Sequence, residues 1–161
     1  MEGIHDPWLR LKAAAVAHCR CTVFLTDVAS VLIPSNLPPS FGARRQALQA
    51  QRDDPRLVAV GEIGVDLFEP GLVAIRPRQE HFYREQLKIA RRAGLPVLVH
   101  VRRSADAVLA GLRRIEVPGG IAHAFNGSDQ QAGHFVERGF RLGFGGALTF
   151  ETARQIRRIA A

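Results

Sequence analysis

From Leu57 onward, the chain alternates between short apolar runs and longer segments in which apolar residues recur with helical spacing. Glycine or proline separates most of these segments, which is typical of short connections. The pattern predicts strands at 57–60, 97–101, 121–125 and 140–144, and helices at 79–93, 104–114, 128–138 and 151–160. Strand–helix alternation of this kind predicts an α/β fold with right-handed crossovers and a parallel sheet.

The first 56 residues are less regular. Pro7 to His18 is expected to form a helix capped by the preceding acid, because proline is favoured at the first helical position. Strands are expected at 21–25 and 28–33, where apolar and β-branched residues dominate. The segment 34–42, PSNLPPSFG, is expected to be a loop, and 43–52 a short helix.

Three residues with metal-binding side chains stand at or near the ends of successive strands. Glu62 follows the apolar run that begins at Leu57 and lies between two glycines, while His100 and His123 close the next two strands. In a parallel sheet all carboxyl ends lie on one side, so these side chains are expected to share a rim. One carboxylate and two imidazoles form a ligand set of catalytic metal sites with an open water position. Singly, each could instead be a strand-end acid paired with arginine or a hydrogen-bonded core histidine.

The loops after these strands add candidates for binding an anion. Arg102 and Arg103 follow His100, and guanidinium groups suit phosphate oxygens, although both could simply decorate a loop. Asn126 and Ser128 follow His123, where the start of a helix could hold an anion or Ser128 could act as an ordinary N-cap. The turn at 143–146, GFGG, would allow a ligand to approach closely. The remaining histidines are interpreted as surface or packing residues: His5, His18, His81 and His134.

Composition changes this picture only a little. The 161 residues predict a single globular domain, and the formal charge of +7 favours phosphate-bearing partners weakly, because its arginines are scattered over helix faces. Cys19 and Cys21 are too close to form an unstrained disulfide, which predicts free thiols in a reducing compartment. No apolar stretch is long enough to span a membrane and no signal peptide is evident, so a cytoplasmic protein is expected.

Three segments together resemble the TatD-type metal-dependent DNase family. They are GEIGVDLF at 61–68, the helix and strand from 79 to 103 that end in LVHVRR, and 119–150, which contains GGIAHAFNGS. The resemblance covers about residues 45–155 and implies a TIM-barrel fold with two divalent metals at the carboxyl-end rim. It also implies hydrolysis of phosphodiester bonds in DNA, with Glu62 as the catalytic carboxylate that bridges the metals. His100 and His123 would be ligands of the second metal.

The sequence departs from the family pattern in ways that lower the expected number of barrel strands and bound metals. The sequence contains no H-x-H motif for the first metal, residues 1–44 do not resemble the family, and the late aspartate motif is absent. We therefore expect an incomplete barrel of roughly five or six of the eight strands. We further expect at most one Zn²⁺, Mn²⁺ or Mg²⁺ ion and impaired cleavage of DNA or another phosphodiester. The alternative is a non-catalytic remnant or an arginine-rich fragment that binds nucleic acid.

Overall fold

The computed structural model describes residues 22–25 and 57–161, which form a parallel five-stranded sheet covered by helices. The strands lie in chain order, and each pairs in parallel with the next. Their bounds are β1 Thr22–Leu25, β2 Leu57–Asp66, β3 Val97–Arg102, β4 Gly120–His123 and β5 Phe140–Leu142. The predicted α/β class and parallel pairing are therefore confirmed.

Helices connect the strands from β2 onward, as the hydrophobic pattern predicts. They are α1 Pro70–Val73, α2 Arg76–Ala93, α3 Ala105–Arg114, α4 Asp129–Val136 and α5 Arg154–Ala160, with a 3₁₀ turn at Gly146–Thr149. Gly94 ends α2 in the left-handed conformation, with φ 64°, and its N–H bonds back to helix carbonyls, so the next strand can begin at Val97.

The core lies between the sheet and the inner faces of α2, α3 and α4. Leu87, Val108 and Leu109 are fully buried there, together with strand residues such as Val99. Under α4, four phenylalanine rings pack edge to face with centroids 5.7–6.4 Å apart: Phe125, Phe135, Phe140 and Phe144. Burial of these side chains fixes the strand ends relative to one another.

Two expectations about the stretch after Leu57 are wrong. The apolar run does not end at Glu62, because β2 continues through Gly61 and Gly64 to Asp66 as a ten-residue strand. The next helix was expected to begin at residue 79, with a loop before it, but Pro70 and Pro77 each lie in the first turn of a helix, where the missing N–H costs nothing.

Other boundaries shift by a few residues. β4 ends at His123 rather than at Phe125, because Ala124 adopts φ 49° and turns the chain. β5 ends at Leu142, and α5 begins at Arg154 instead of residue 151. Ser104 occupies the predicted N-cap position of α3, but its side chain makes no capping hydrogen bond.

Several N-terminal predictions lie outside the described residues. They concern the helix at 7–18, the strand at 28–33, the loop and helix at 34–52 and the two cysteines. The strand predicted at 21–25 is observed from Thr22 to Leu25. Within the described part of the chain, none of the helices has the length and apolar character needed to cross a membrane.

Candidate active site

Glu62 owes its position to an irregularity in the pairing of β2 with β3. Gly61 pairs with Leu98 and Ile63 with Val99, so Glu62 has no register partner and its side chain leaves the regular pleat. Both flanking positions must be glycine, because β3 packs too closely against them for a side chain. A Cβ on Gly61 would lie 2.5 Å from Leu98 Cβ, and a Cβ on Gly64 would lie even closer to the backbone of β3. Glu62 is the one position of β2 that is not buried.

The structure brings Glu62, His100 and His123 together. His100 and His123 are direct register partners in neighbouring parallel strands. His100 Nδ1 lies 2.8 Å from Glu62 Oε1, and His123 Nδ1 lies 3.1 Å from the same oxygen. His123 is the most open of the three, with 57% of its side chain exposed. Three residues separated by 38 and 23 positions along the chain therefore converge on one carboxylate oxygen.

Asp66 belongs to the same cluster, and the sequence reasoning missed it. Its Oδ2 lies 3.2 Å from His100 Nε2, so His100 stands between two carboxylates. Its Oδ1 accepts the backbone N–H groups of Phe68 at 2.8 Å and Glu69 at 3.4 Å. The available signal was that an acid at the true end of an apolar strand must find partners, but the strand was expected to end at residue 60, before Glu62.

A buried amide holds the strand end that carries Asp66. Gln79 Oε1 accepts the Asp66 N–H at 2.8 Å, and its Nε2 donates to the Asp66 carbonyl at 3.1 Å. The same Nε2 donates to the carbonyl of Leu72 at 2.6 Å. One neutral side chain on the first turn of α2 therefore joins the end of β2 to α1.

The cluster is organised electrostatically around His100. The hydrogen bond from His100 lowers the pKa of Glu62 despite partial burial, and His123 adds to this effect. The hydrogen bond to Glu62 raises the pKa of His100, burial opposes this increase, and the hydrogen bond to Asp66 adds to it. Burial alone would raise the pKa of Asp66, but hydrogen bonds from Phe68 N–H, His100 and Glu69 N–H lower it overall. Because ionised carboxylates only accept hydrogen bonds, these contacts favour the protonated form of His100, which can donate from both ring nitrogens.

Arg102 and Arg103 lie beside the cluster, and both guanidinium groups stack on the exposed ring of Phe68. The guanidinium carbon of Arg102 lies 4.0 Å from the centroid of Phe68, and that of Arg103 lies 4.8 Å from it. Arg102 also places an amino nitrogen 3.6 Å from both Asp66 Oδ2 and Glu69 Oε1. These guanidinium groups are thereby held on the rim by stacking on the ring.

The other predicted binding residues lie on the same side of the sheet. Asn126 is exposed in the loop after His123. Ser128 forms a complete capping box: its hydroxyl accepts the Gln131 N–H at 3.2 Å, while Gln131 Oε1 accepts the Ser128 N–H at 3.0 Å. His134 lies on the surface beside Glu137, in agreement with its interpretation as a surface residue.

The donor chemistry of the cluster fits a divalent ion, although the side chains now bond to one another. Among residues 57–161, no group of three or more His, Cys, Asp and Glu side chains is placed to hold a metal as it stands. The separation of 2.8 Å between His100 Nδ1 and Glu62 Oε1 is a hydrogen-bond distance. Ligands that bind one ion at about 2 Å in tetrahedral geometry stand farther apart, so an ion would replace these hydrogen bonds.

The sequence is similar to proteins named as hydrolases and nucleases. The YjjV protein of Escherichia coli K12, named an uncharacterised metal-dependent hydrolase, is 42% identical over 120 residues, which cover 73% of this chain and 44% of YjjV. The 3'-5' ssDNA/RNA exonuclease TatD of Cronobacter turicensis is 36% identical over 101 residues, which cover 62% of this chain and 38% of that enzyme. The chain thus spans less than half the length of these two relatives.

A solved structure shows the same fold. The crystal structure of Escherichia coli YjjV, a TatD homologue, superimposes with a TM-score of 0.77 and 35% identity, covering 96% of this chain and 57% of that one. The expected relation to the TIM barrel is therefore confirmed. The profile of the family described as "TatD related DNase" matches residues 32–161, so the match begins before residue 45 and continues past residue 155, beyond the expected bounds. The chain belongs to the TatD-related DNase family.

Proposed function

We propose that this chain provides the second-metal side of an active site that hydrolyses phosphodiester bonds in nucleic acid. The observation that carries the proposal is the convergence of His100 and His123 on Glu62 Oε1 at the carboxyl ends of parallel strands. Ligand and catalytic residues are characteristic of this rim in barrel enzymes. The name of the Cronobacter relative, an exonuclease on single-stranded DNA and RNA, supports nucleic acid as the substrate class.

Glu62, His100 and His123 would hold one divalent ion, with Zn²⁺, Mn²⁺ and Mg²⁺ as the candidates. Such an ion, when bound, supplies a Lewis acid for a phosphoryl oxygen and lowers the pKa of a bound water. Glu62 stays ionised at neutral pH, because hydrogen bonding lowers its pKa, and it therefore supplies negative charge for the ion. His100 would bind the ion in its neutral form, so an ion competes with the protonated form that the two carboxylates favour.

Other residues of the chain orient the site and the substrate. Asp66 accepts from His100 Nε2, and this second hydrogen bond fixes the plane of the ring while Nδ1 faces Glu62. Arg102 lies next to the cluster and would donate to a phosphate oxygen, since its contacts of 3.6 Å with Asp66 and Glu69 are loose. Asn126 and Ser128 would contact the substrate from the loop after β4.

Binding of metal and cleavage of DNA test this proposal together. Mn²⁺ or Zn²⁺ titrated into the purified chain should bind at about one equivalent, and E62Q or H123N should abolish binding. A labelled single-stranded DNA should be cleaved with Mn²⁺ and not with chelator. H134N changes an exposed histidine on α4 and should leave binding and cleavage unchanged. Equal metal binding by the chain and by E62Q would refute the assigned ligands.

Binding of nucleic acid without cleavage is the second candidate. It is favoured by the hydrogen bonds that already satisfy Glu62, His100 and His123, and by two arginines on the same rim. Affinity for DNA that falls with salt and is insensitive to chelator, in a chain that cleaves no DNA with Mn²⁺, would establish this function in place of hydrolysis.

A further inference from the structure

A cleft of about 370 Å³ opens on the same rim, between the loops that follow β3 and β4 and the start of α2. Its volume falls in the range of small-molecule sites. Polar side chains line much of it: Arg76, Arg103, Ser104, Asp106, Asn126 and Gln131. None of the residues of the Glu62 cluster lines it, so the cleft is separate from the candidate metal ligands.

Arg103 is the cation of this cleft. Its backbone has φ 53°, a conformation that is unfavourable for a non-glycine residue and that recurs at functional sites. Its guanidinium carbon lies 4.8 Å from the Phe68 ring centroid. Within the described part of the chain it makes no ion pair, in contrast to Arg102, so its donors are available to a ligand.

Ser104 supplies a buried donor to the same wall. It is only 2% exposed, and its Oγ accepts the Arg102 N–H at 3.1 Å. Because that bond uses a lone pair, the hydroxyl proton stays available for donation. Ser104 stands at the N-cap position of α3, but its side chain makes no capping hydrogen bond. Asn126 adds an exposed amide to the lining of the cleft.

The charges of the cleft favour a ligand with one negative charge. The guanidinium of Arg76 is engaged by Glu80, whose Oε1 lies 2.7 Å from its Nε. Asp106 also lines the cleft, where its Oδ1 accepts from Gln131 Nε2 at 2.9 Å. Among the described residues that line the cleft, Arg103 is therefore the guanidinium that no acid engages. A phosphodiester carries a single negative charge, which one guanidinium can match.

We propose that this cleft binds the phosphodiester that neighbours the scissile bond of a nucleic-acid strand, with Arg103, Ser104 and Asn126 as its donors. The inference rests on the proposed function, because only a scissile phosphate at the Glu62 cluster would lead the nucleic-acid strand across the rim into this cleft. It specifies an oligonucleotide with at least two linked phosphates as substrate, in preference to a mononucleotide ester. Arg103 is thus a substrate-binding residue for an internal phosphate.

Binding measured in chelator tests the cleft without any contribution from metal or cleavage. The probe is a fluorescein-labelled oligothymidylate, followed by anisotropy over a series of salt concentrations. R103A should weaken binding about tenfold, the loss typical of one charge-assisted hydrogen-bonding group. It should also reduce the slope of log K against log salt by about 0.7, since one phosphate contact on a single strand is lost. N126A should weaken binding and leave the slope unchanged, because no charge is removed.

R113A is the matched control. Arg113 is exposed at the far end of α3, so its loss removes the same charge from the opposite rim. The dinucleotide thymidylyl-thymidine should also compete better than thymidine 5'-monophosphate. Equal losses in R103A and R113A, a stronger competition by the monophosphate, or no binding by the unchanged chain would each overturn the proposal.

The two proposals can fail separately. Binding that depends on Arg103 in a chain that never cleaves DNA with Mn²⁺ would keep the cleft and remove the hydrolase. Cleavage with Mn²⁺ whose KM for oligothymidylate is the same in R103A would keep the hydrolase and remove the cleft.

Discussion

Asp66 Oδ2 lies 3.2 Å from His100 Nε2, which places a buried carboxylate behind a ring whose other nitrogen faces Glu62. Asp66 is 4% exposed, and its second oxygen fixes the loop that carries Phe68. A single acid therefore couples the orientation of the His100 ring to the position of the arginines on the rim.

Replacing Asp66 with asparagine should weaken metal binding about ten- to a hundredfold, the usual cost of removing a partner that orients a histidine ligand. It should also destabilise the fold by about 1–3 kcal/mol, because the N–H groups of Phe68 and Glu69 lose a charged acceptor. Calorimetric titration with Mn²⁺ and urea denaturation measure the two effects.

Asp129→Asn is the control for this experiment. Asp129 is exposed and pairs with Arg158 on the surface, so its replacement should change neither the metal affinity nor the stability by more than about 1 kcal/mol. Mn²⁺ affinity unchanged in D66N would show that Asp66 does not orient a ligand.

Gly64→Ala should prevent stable folding or cost at least about 3 kcal/mol. An added Cβ would lie 2.3 Å from the carbonyl oxygen of His100, and paired backbone in a packed sheet cannot move away. Gly133→Ala is the counterpart, since nothing lies within 4 Å of its Cβ position in α4, and it should stabilise by about 0.5–1 kcal/mol. Thermal unfolding of both variants checks the pair, and a G64A protein as stable as the parent would contradict the close packing of β2 on β3.

Tyr83 should resist ionisation until the protein unfolds in alkali. Burial raises the pKa of its hydroxyl well above the usual value, and that hydroxyl donates to the Val108 carbonyl at 3.0 Å. A group whose pKa is raised in the folded state contributes stability that is present below its unfolded pKa, about 10, and is lost as pH rises above it. As the sequence has one tyrosine, ultraviolet absorbance of tyrosinate reports this group alone.

Absorbance and circular dichroism should therefore change together above a pH of about 10. Y83F should be about 1 kcal/mol less stable at neutral pH and should lose this part of the alkaline sensitivity. A tyrosinate signal that rises near pH 10 with unchanged circular dichroism would mean that Tyr83 is accessible to solvent.

Ser128 can be tested for capping and for substrate contact separately. S128A should cost about 1 kcal/mol, because the capping box of α4 is lost. S128D should retain most of the cap, since aspartate is a good N-cap, but it should repel a phosphate. Urea denaturation combined with oligothymidylate binding distinguishes the roles: tight binding by S128D would leave Ser128 as a cap only.

The regular part of the fold could be predicted because its signals are local. The apolar faces of α2 and α3 and the strand that begins at Val97 follow directly from hydrophobic spacing. The phase of this alternation also brought Glu62, His100 and His123 to one rim, without any information on long-range contacts. Assignment of these residues as metal ligands stays a prediction.

Asp66 and the cleft around Arg103 could not be predicted in the same way. Two glycines after an apolar run indicate a turn, but here they serve close strand pairing, and only tertiary packing distinguishes the two. The left-handed backbone conformation at Arg103 and Ala124 could not be predicted from the sequence either, because neither residue type favours it. Both decide where side chains point after the strands end.

The hydrogen bonds of the Gln79 amide do not depend on salt concentration or pH in the way that an ion pair does. It grips both main-chain groups of Asp66 and the carbonyl of Leu72 without carrying a charge. Neither added electrolyte nor a change of acidity can weaken such a tether as they would an ion pair. A change of charge among the rim side chains would therefore leave this connection between the end of β2 and α1 intact.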